Sequence, residues 1–199
     1  MNNLKKYLAE TLGTMTLTLV VALSIVTNFP IPTPVLAGLV LLLFVYSIGH
    51  ISGTHINPAV TIGLWSIKKI KSSDACLYLL SQGIGAGIAL LLVSSTVGAP
   101  VLVVSNSLHI GLVEALGTFF FTFGIASVVY EKTPSLMSGL VIGGSLLLGI
   151  TIAATLGSNG VLNPAVAFGI KSFNLMYLFG PILGSILGMQ TYKFIKFNN

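Results

Sequence analysis

Long apolar segments alternate with short polar or proline-containing breaks along most of the chain. Splitting the apolar runs at these breaks predicts six helices long enough to cross a hydrocarbon core of about 30 Å. We expect them at approximately residues 7–27, 35–51, 75–97, 111–130, 136–156 and 175–194. The segments between them leave no room for a soluble domain, so residues 1–199 are predicted to form a single membrane domain.

Two further apolar segments are too short to span, and both begin with the same triplet. The triplets are Asn57, Pro58 and Ala59, and Asn163, Pro164 and Ala165. Asn is a favoured helix N-cap and Pro is favoured at the first helical position, so each triplet predicts a helix start. We place the two short helices at residues 58–67 and 164–170. A helix of about ten residues rises about 15 Å, which is roughly half of the hydrocarbon core.

Two half-length helices that enter from opposite faces and meet at mid-depth would form one broken span. Irregular backbone at that depth is tolerated where it lines a cavity, so the pattern predicts a pore. The caps leave the side-chain NH₂ groups of Asn57 and Asn163 free to donate to a passing solute oxygen. The helix N-termini add positive charge that repels cations. The alternative is that both asparagines only cap helices inside a packed bundle.

The two halves of the chain resemble each other. The segment from Glu10 to Thr14 recurs as the segment from Glu114 to Thr118, and the triplets recur at nearly the same offset. Three predicted spans in each half place the second half upside down relative to the first. We therefore predict two inverted repeats, at approximately residues 7–97 and 111–194. The two carboxylates are either ordinary interfacial charges or buried groups that serve a site, because an intramembrane carboxylate is otherwise costly.

The composition is that of a polytopic membrane protein. Of the 199 residues, 54% are hydrophobic and 7% are charged, and the mean hydropathy is +1.00. The net charge is +5, but the nine basic residues are all lysines at segment ends, where they indicate topology rather than a nucleic-acid partner. Placing the N-terminus in the cytoplasm puts every lysine except Lys171 inside. We expect an uncleaved first helix, cytoplasmic N- and C-termini and location in the cell membrane.

Chemistry-bearing clusters are missing from the sequence. The single cysteine, Cys76, excludes an internal disulfide, and the cysteine and histidines do not group at metal-binding spacings. Paired catalytic carboxylates, an activated nucleophile and a phosphate-binding loop are also missing. The sequence therefore predicts no metal, no cofactor and no enzymatic activity.

The most specific motif is Gly49-His-Ile-Ser-Gly-Thr-His-Ile-Asn-Pro-Ala-Val-Thr-Ile-Gly63. It is accompanied by the two repeated glutamates, by Gln82 and by the segment from Phe179 to Gly184. Over approximately residues 8–188 the chain resembles the aquaporins, the major intrinsic protein family. The resemblance implies an all-α transmembrane fold of six helices and two re-entrant half helices, with a pore in each protomer and a homotetramer in the lipid bilayer.

The same resemblance implies roles for particular residues. Glu10 and Glu114 would be buried and would brace the re-entrant loops. The backbone carbonyls of Thr54, His55 and Ile56 would line the inner half of the pore.

The outer constriction departs from the family pattern. In most of the family an arginine directly follows the second triplet, whereas this chain has Val166. The other constriction positions correspond to Ala37, Thr151 and Gly160, none of which is aromatic or charged. We therefore expect an unusually wide and mostly apolar outer constriction.

The leading functional hypothesis is a passive channel for water and small uncharged solutes such as glycerol. One alternative is a secondary transporter, because inverted repeats with broken helices also occur in alternating-access carriers. Another is a non-conducting structural member of the family, in which Val166 plugs the outer mouth. Water, glycerol, ammonia, a peroxide and a neutral metalloid acid all remain open as the solute.

Overall fold

A computed structural model describes residues 4–100 and 102–197. In these residues the regular structure is helical throughout. The α-helices are α1 (Leu4–Val26), α2 (Thr33–Ser52), α3 (Pro58–Ser66), α4 (Ser72–Thr96), α5 (Leu108–Val129), α6 (Ser138–Thr155), α7 (Pro164–Gly169) and α8 (Leu175–Phe197). A short 3-10 turn, Ser135–Met137, precedes α6.

The predicted all-α transmembrane fold, with six long and two half-length helices, is confirmed. Five long helices are apolar enough to cross a membrane by length and composition, namely α1, α2, α4, α5 and α6 with its preceding turn. The sixth, α8, has 23 residues and contains Pro181, and composition alone does not mark it as a span. The half-length helices α3 and α7 have nine and six residues, and each ends one residue before its predicted end.

Matching close helix crossings occur in the two halves of the chain. α1 packs against α4 in the first half, and α5 packs against α8 in the second. Gly85 lies against the carbonyl group of Thr11 at the first crossing, and Gly184 lies against that of Ala115 at the second. A Cβ atom at either glycine would collide with the facing carbonyl oxygen, so glycine is what allows these helix backbones to approach so closely.

The half-length helices lie inside the bundle of long helices. α3 contacts α4 and α8, α7 contacts α1 and α4, and the two half-length helices also contact each other. Each follows a loop, which we call the first loop (residues 53–57) and the second loop (residues 157–163). The residues that end these loops, Asn57 and Asn163, are buried, so the two loops meet in the interior of the protein.

Candidate functional site

The asparagine side chains cross from one loop to the other. Asn57 caps α3 through its Oδ1, which accepts the N–H of Ala59 at 2.8 Å, and its Nδ2 donates to the carbonyl of Leu162 at 2.9 Å. Asn163 caps α7 in the same way, and its Nδ2 donates to the carbonyl of Ile56 at 3.0 Å. Each half-length helix is therefore tied to the loop that precedes the other one.

These crossed bonds correct the expectation that the caps leave the whole NH₂ group of each asparagine free. The opposite loop takes one N–H of each amide. The other N–H has no protein acceptor within residues 4–100 and 102–197, and both side chains line a shared cavity although only 2% of each residue is exposed. Asn57 and Asn163 can each offer one donor, not two, to a molecule in that cavity.

Left-handed backbone occurs at equivalent positions of the two loops. The φ angle is 51° at Thr54 and 38° at Ile56 in the first loop, and 63° at Gly160 and 53° at Leu162 in the second. Outside glycine this conformation costs roughly 1–2 kcal/mol per residue, so other contacts must hold it in place. The carbonyls that accept the crossed bonds belong to two of these residues, Ile56 and Leu162.

A fully buried carboxylate holds the first loop. Glu10 of α1 accepts hydrogen bonds from the backbone N–H groups of His55 and Ile56 at 2.9 and 2.7 Å. It also accepts from Ser52 Oγ at 2.7 Å and from Gln82 Nε2 at 2.9 Å. The carboxylate thus supplies acceptors to loop N–H groups that lie outside any helix and away from water.

A second buried carboxylate occupies the equivalent place beside the second loop. Glu114 of α5 accepts from the backbone N–H groups of Val161 and Leu162 at 3.1 and 2.7 Å. It also accepts a hydrogen bond from Ser158 Oγ. The geometry therefore repeats that of Glu10, with three hydrogen bonds in place of four.

The first loop carries a further chain of polar side chains. Gln82 Nε2 donates to Thr61 Oγ1 at 3.0 Å as well as to Glu10, and Thr61 Oγ1 lies 3.1 Å from His55 Nδ1. The sequence does not indicate the contacts of Gln82 or Thr61, because they join a loop and half-length helix to a long helix 21 residues or more away in the chain.

Two cavities adjoin the first loop; both asparagines line the one that we call the upper cavity, and neither lines the one that we call the lower cavity. The upper cavity, of about 280 Å³, lies between the loops and the ends of α1 and α2 near residues 25–34. The lower cavity, of about 420 Å³, lies beside Lys69, Lys71 and Asp74. His55 lines both cavities, so its side chain stands between them.

The two cavities differ in their walls. Within the described residues no Asp, Glu, Lys or Arg side chain lines the upper cavity, and its helical walls are mostly aliphatic. These walls include Leu17 and Val21 of α1, Leu41 of α2 and Ile150 of α6. The lower cavity is the charged one. The upper cavity therefore offers a mostly apolar surface, and the lower cavity offers a surface that includes charged groups.

Three of the four expected constriction residues line the upper cavity, and one does not. Ala37, Gly160 and Val166 line it. Thr151 does not: its side chain is exposed outside the cavity, and its hydroxyl donates to the carbonyl of Leu147 in its own helix. The cavity face of α6 instead includes Ile150, because one residue further along an α-helix turns the side chain by about 100°.

The three residues expected to line the pore through their carbonyls differ in their surroundings. Thr54 lines neither cavity; its hydroxyl donates to the carbonyl of Phe44 in α2 at 3.1 Å. Ile56 lines the upper cavity, but its carbonyl oxygen already accepts the bond from Asn163. The carbonyls of Thr54 and His55 accept no hydrogen bond from the described residues.

Leu102 lines the upper cavity, and no pattern in the sequence indicates this. The residue belongs to the irregular connection between α4 and α5. Such a connection has no hydrophobic period, so the direction of one leucine within it cannot be read from the pattern.

Comparison with known proteins identifies the family of this chain. The family model described as "Major intrinsic protein" matches residues 1–192. Aquaporin AqpM of Methanothermobacter marburgensis is 34% identical, and the alignment covers 76% of this chain and 71% of that protein. Aquaporin NIP1-1 of Arabidopsis thaliana is 31% identical, with 98% of this chain and 75% of that protein covered.

A solved structure shows the same fold. The aquaglyceroporin from Plasmodium falciparum superposes with a TM-score of 0.74 at 20% identity. The superposition covers 98% of this chain and 96% of that one. At this identity the likeness concerns the arrangement of the helices alone.

Proposed function

Because this chain belongs to the major intrinsic protein family and is a channel rather than an enzyme, we propose that it passes glycerol-sized uncharged solutes besides water, through a wide apolar constriction. Family membership supports a multi-pass membrane channel for water and small solutes. The wider substrate range is the proposal. It rests on the residues that line the upper cavity.

The observation that carries the proposal is the wall around Val166. Val166 is buried and lines the upper cavity together with Ala37 and Gly160, and no charged side chain of the described residues joins them. An arginine at this position would add a fixed positive charge and several donors, and it would narrow the passage. Valine adds none of these, so size and apolar contact select the solute here.

We assign the central step to the asparagines. The one remaining N–H of Asn57 and that of Asn163 would donate to the oxygen of a solute in the upper cavity. The helix starts at Pro58 and Pro164, each followed by alanine, would fix the direction of these donors. Glu10 and Glu114 would act as braces, because they hold the loops in a left-handed conformation that is unfavourable on its own.

The test is flux through purified protein in liposomes, followed by stopped-flow light scattering under water and glycerol gradients. We expect the unmodified protein to pass both, and Val166→Arg to reduce glycerol flux more than water flux. Val103→Arg is the matched control, because Val103 is 90% exposed on the same side and does not line the cavity. The proposal is wrong if the unmodified protein passes water but rejects glycerol and Val166→Arg leaves that ratio unchanged.

The same experiment separates the channel from the two alternatives. A secondary transporter would show saturable flux coupled to an ion, and a non-conducting member would show no flux. The carboxylates that could serve coupling, Glu10 and Glu114, already accept four and three hydrogen bonds from protein groups. The carrier hypothesis therefore has no support from these side chains.

Assembly, domain organisation and orientation complete the proposal. We propose a homotetramer in the cell membrane, in which each chain forms one domain with its own pore and inverted repeats at approximately residues 7–97 and 111–194. The termini would face the cytoplasm, so the lower cavity with Lys69 and Lys71 would open inward. Native mass spectrometry would test the tetramer, and labelling of a cysteine placed at Val103 would test the orientation, since we expect labelling from outside the cell only.

A further inference from the structure

Residues 102–104, in the connection between α4 and α5, alternate in the direction of their side chains. Leu102 is half-buried, lines the cavity and packs against the main hydrophobic core. The next residue, Val103, is 90% exposed. Val104 turns inward again and packs against the cluster that contains Tyr177. The direction of Leu102 is therefore set by the course of residues 103–105, which follow it.

Two asparagine amides fix that course. Asn159 Nδ2 donates to the carbonyl of Val103 at 3.1 Å, and Asn174 Nδ2 donates to the carbonyl of Ser105 at 3.3 Å. Asn159 is itself anchored, because its backbone N–H and its Nδ2 both lie within hydrogen-bond distance of the hydroxyl of Tyr177. The connection is thereby attached to the second loop.

We infer that Leu102 is a specificity-determining residue of the upper mouth and that Asn159 is its positioning residue. The inference rests on the proposed function, since it concerns which neutral solutes the pore admits. Ala37, Gly160 and Val166, which line the same cavity, are small or medium-sized, whereas Leu102 adds a branched side chain to the lining from a non-helical segment. Leu102 sets the upper size limit near a three-carbon polyol and excludes longer neutral polyols.

The physical reason is the absence of hydrogen-bonding groups on leucine. A longer polyol must lose water from its additional hydroxyl groups to pass Leu102, and the leucine side chain offers nothing in return. A wall that is also close enough to contact the solute adds a steric cost for each extra carbon.

The test compares erythritol with glycerol flux in proteoliposomes. In Leu102→Ala the ratio of erythritol to glycerol permeability should rise about tenfold, the size of discrimination that one methylene group commonly gives in an apolar pocket. Leu102→Trp should shift selectivity the other way and lower glycerol flux relative to water flux. Val103→Ala, one residue away and exposed, should change neither ratio.

The positioning role needs its own readout, because Asn159 also lines the cavity. Asn159→Ala should raise the erythritol ratio in the unmodified background and add nothing in the Leu102→Ala background, since its effect passes through Leu102. Additive effects of the two substitutions would overturn the positioning role. Asn174→Asp keeps the side-chain oxygen that caps α8 but loses the bond to Ser105, and it should raise the ratio in the same direction.

The possible failures are distinguishable. An unmodified protein that conducts glycerol, with an erythritol ratio that neither Leu102 variant changes, overturns this inference and leaves the proposed function standing. A protein that conducts neither water nor glycerol overturns both. An equal rise in Val103→Ala would show that loosening of the connection, not the Leu102 side chain, sets the ratio, and would also overturn the inference.

Discussion

The first and second loops have the same backbone arrangement but different side chains. In both, a buried glutamate accepts two consecutive backbone N–H groups, and the next residue is an asparagine that bonds across to the other loop. Only the first loop adds the chain of Gln82, Thr61 and His55. The equivalent positions of the second repeat hold Pro181, Ala167 and Val161.

This difference separates two requirements of the site. The carboxylate, the left-handed residues and the crossed asparagine bonds are present in both loops, so they serve to hold the loops in their conformation. The polar chain is present once, on the loop whose His55 also lines the charged lower cavity. The second loop faces the apolar upper cavity with Val161 instead. Three pairs of substitutions test this comparison.

The largest effect is expected from the glutamates. Glu10→Ala and Glu114→Ala should both lower the free energy of unfolding, by about 1–3 kcal/mol for each buried group left without an acceptor. Glu10→Ala should cost more, because Glu10 accepts four hydrogen bonds and Glu114 accepts three. Thermal unfolding in detergent measures both, with exposed Glu131→Ala as the control. Unchanged melting of both variants would contradict the brace assignment.

A smaller and equal effect is expected from the asparagines. Serine keeps an oxygen that can cap the helix but loses the Nδ2 that crosses to the other loop. Asn57→Ser and Asn163→Ser should each cost about 1 kcal/mol, the net contribution of one hydrogen bond. Equality follows because the two crossed bonds have nearly the same length, 2.9 and 3.0 Å. A loss of stability in only one of the two variants, measured by the same thermal unfolding, would contradict the expected equality of the two crossed bonds.

The smallest effect is expected from the polar chain. Thr61→Val preserves the shape of the side chain and removes the hydroxyl that links Gln82 to His55, at a cost of about 0.5–1 kcal/mol. Thr118→Val is the matched control, because Thr118 is also buried but its hydroxyl bonds only within its own helix. We expect Thr61→Val to melt at a lower temperature than Thr118→Val. The reverse order would show that the chain does not stabilise the first loop.

The sequence predicts the helices well because each strong signal is local. The triplets, with Asn and Pro in cap positions, and the apolar runs both act over a few residues, so the half-length helices and the long helices could be placed within a few positions of their ends. The similarity between the segments at Glu10 and Glu114 also predicts that the two halves are repeats, since a repeat can be recognised without knowledge of the contacts.

The parts that could not be predicted depend on contacts between distant segments. The rotation of α6 decides that Ile150 and not Thr151 faces the upper cavity, and counting back from Asn163 through an irregular loop cannot fix that rotation. The acceptors of the crossed asparagine bonds are backbone carbonyls, which every residue has, so the sequence cannot indicate which residue accepts each bond. Leu102 depends on the path of a connection without regular structure.

The crossed asparagine bonds also set an order of events during synthesis of the chain. They join residues 105 and 107 positions apart, so neither bond can form until the chain has been made as far as Leu162 and Asn163. Contacts of such long range carry a closure entropy that local contacts do not, and they form late in folding. When the ribosome has finished α3, Asn57 can cap that helix, but the carbonyl that its amide needs has not yet been translated. The first half of the chain therefore lacks both crossed asparagine bonds until the second loop has been synthesised.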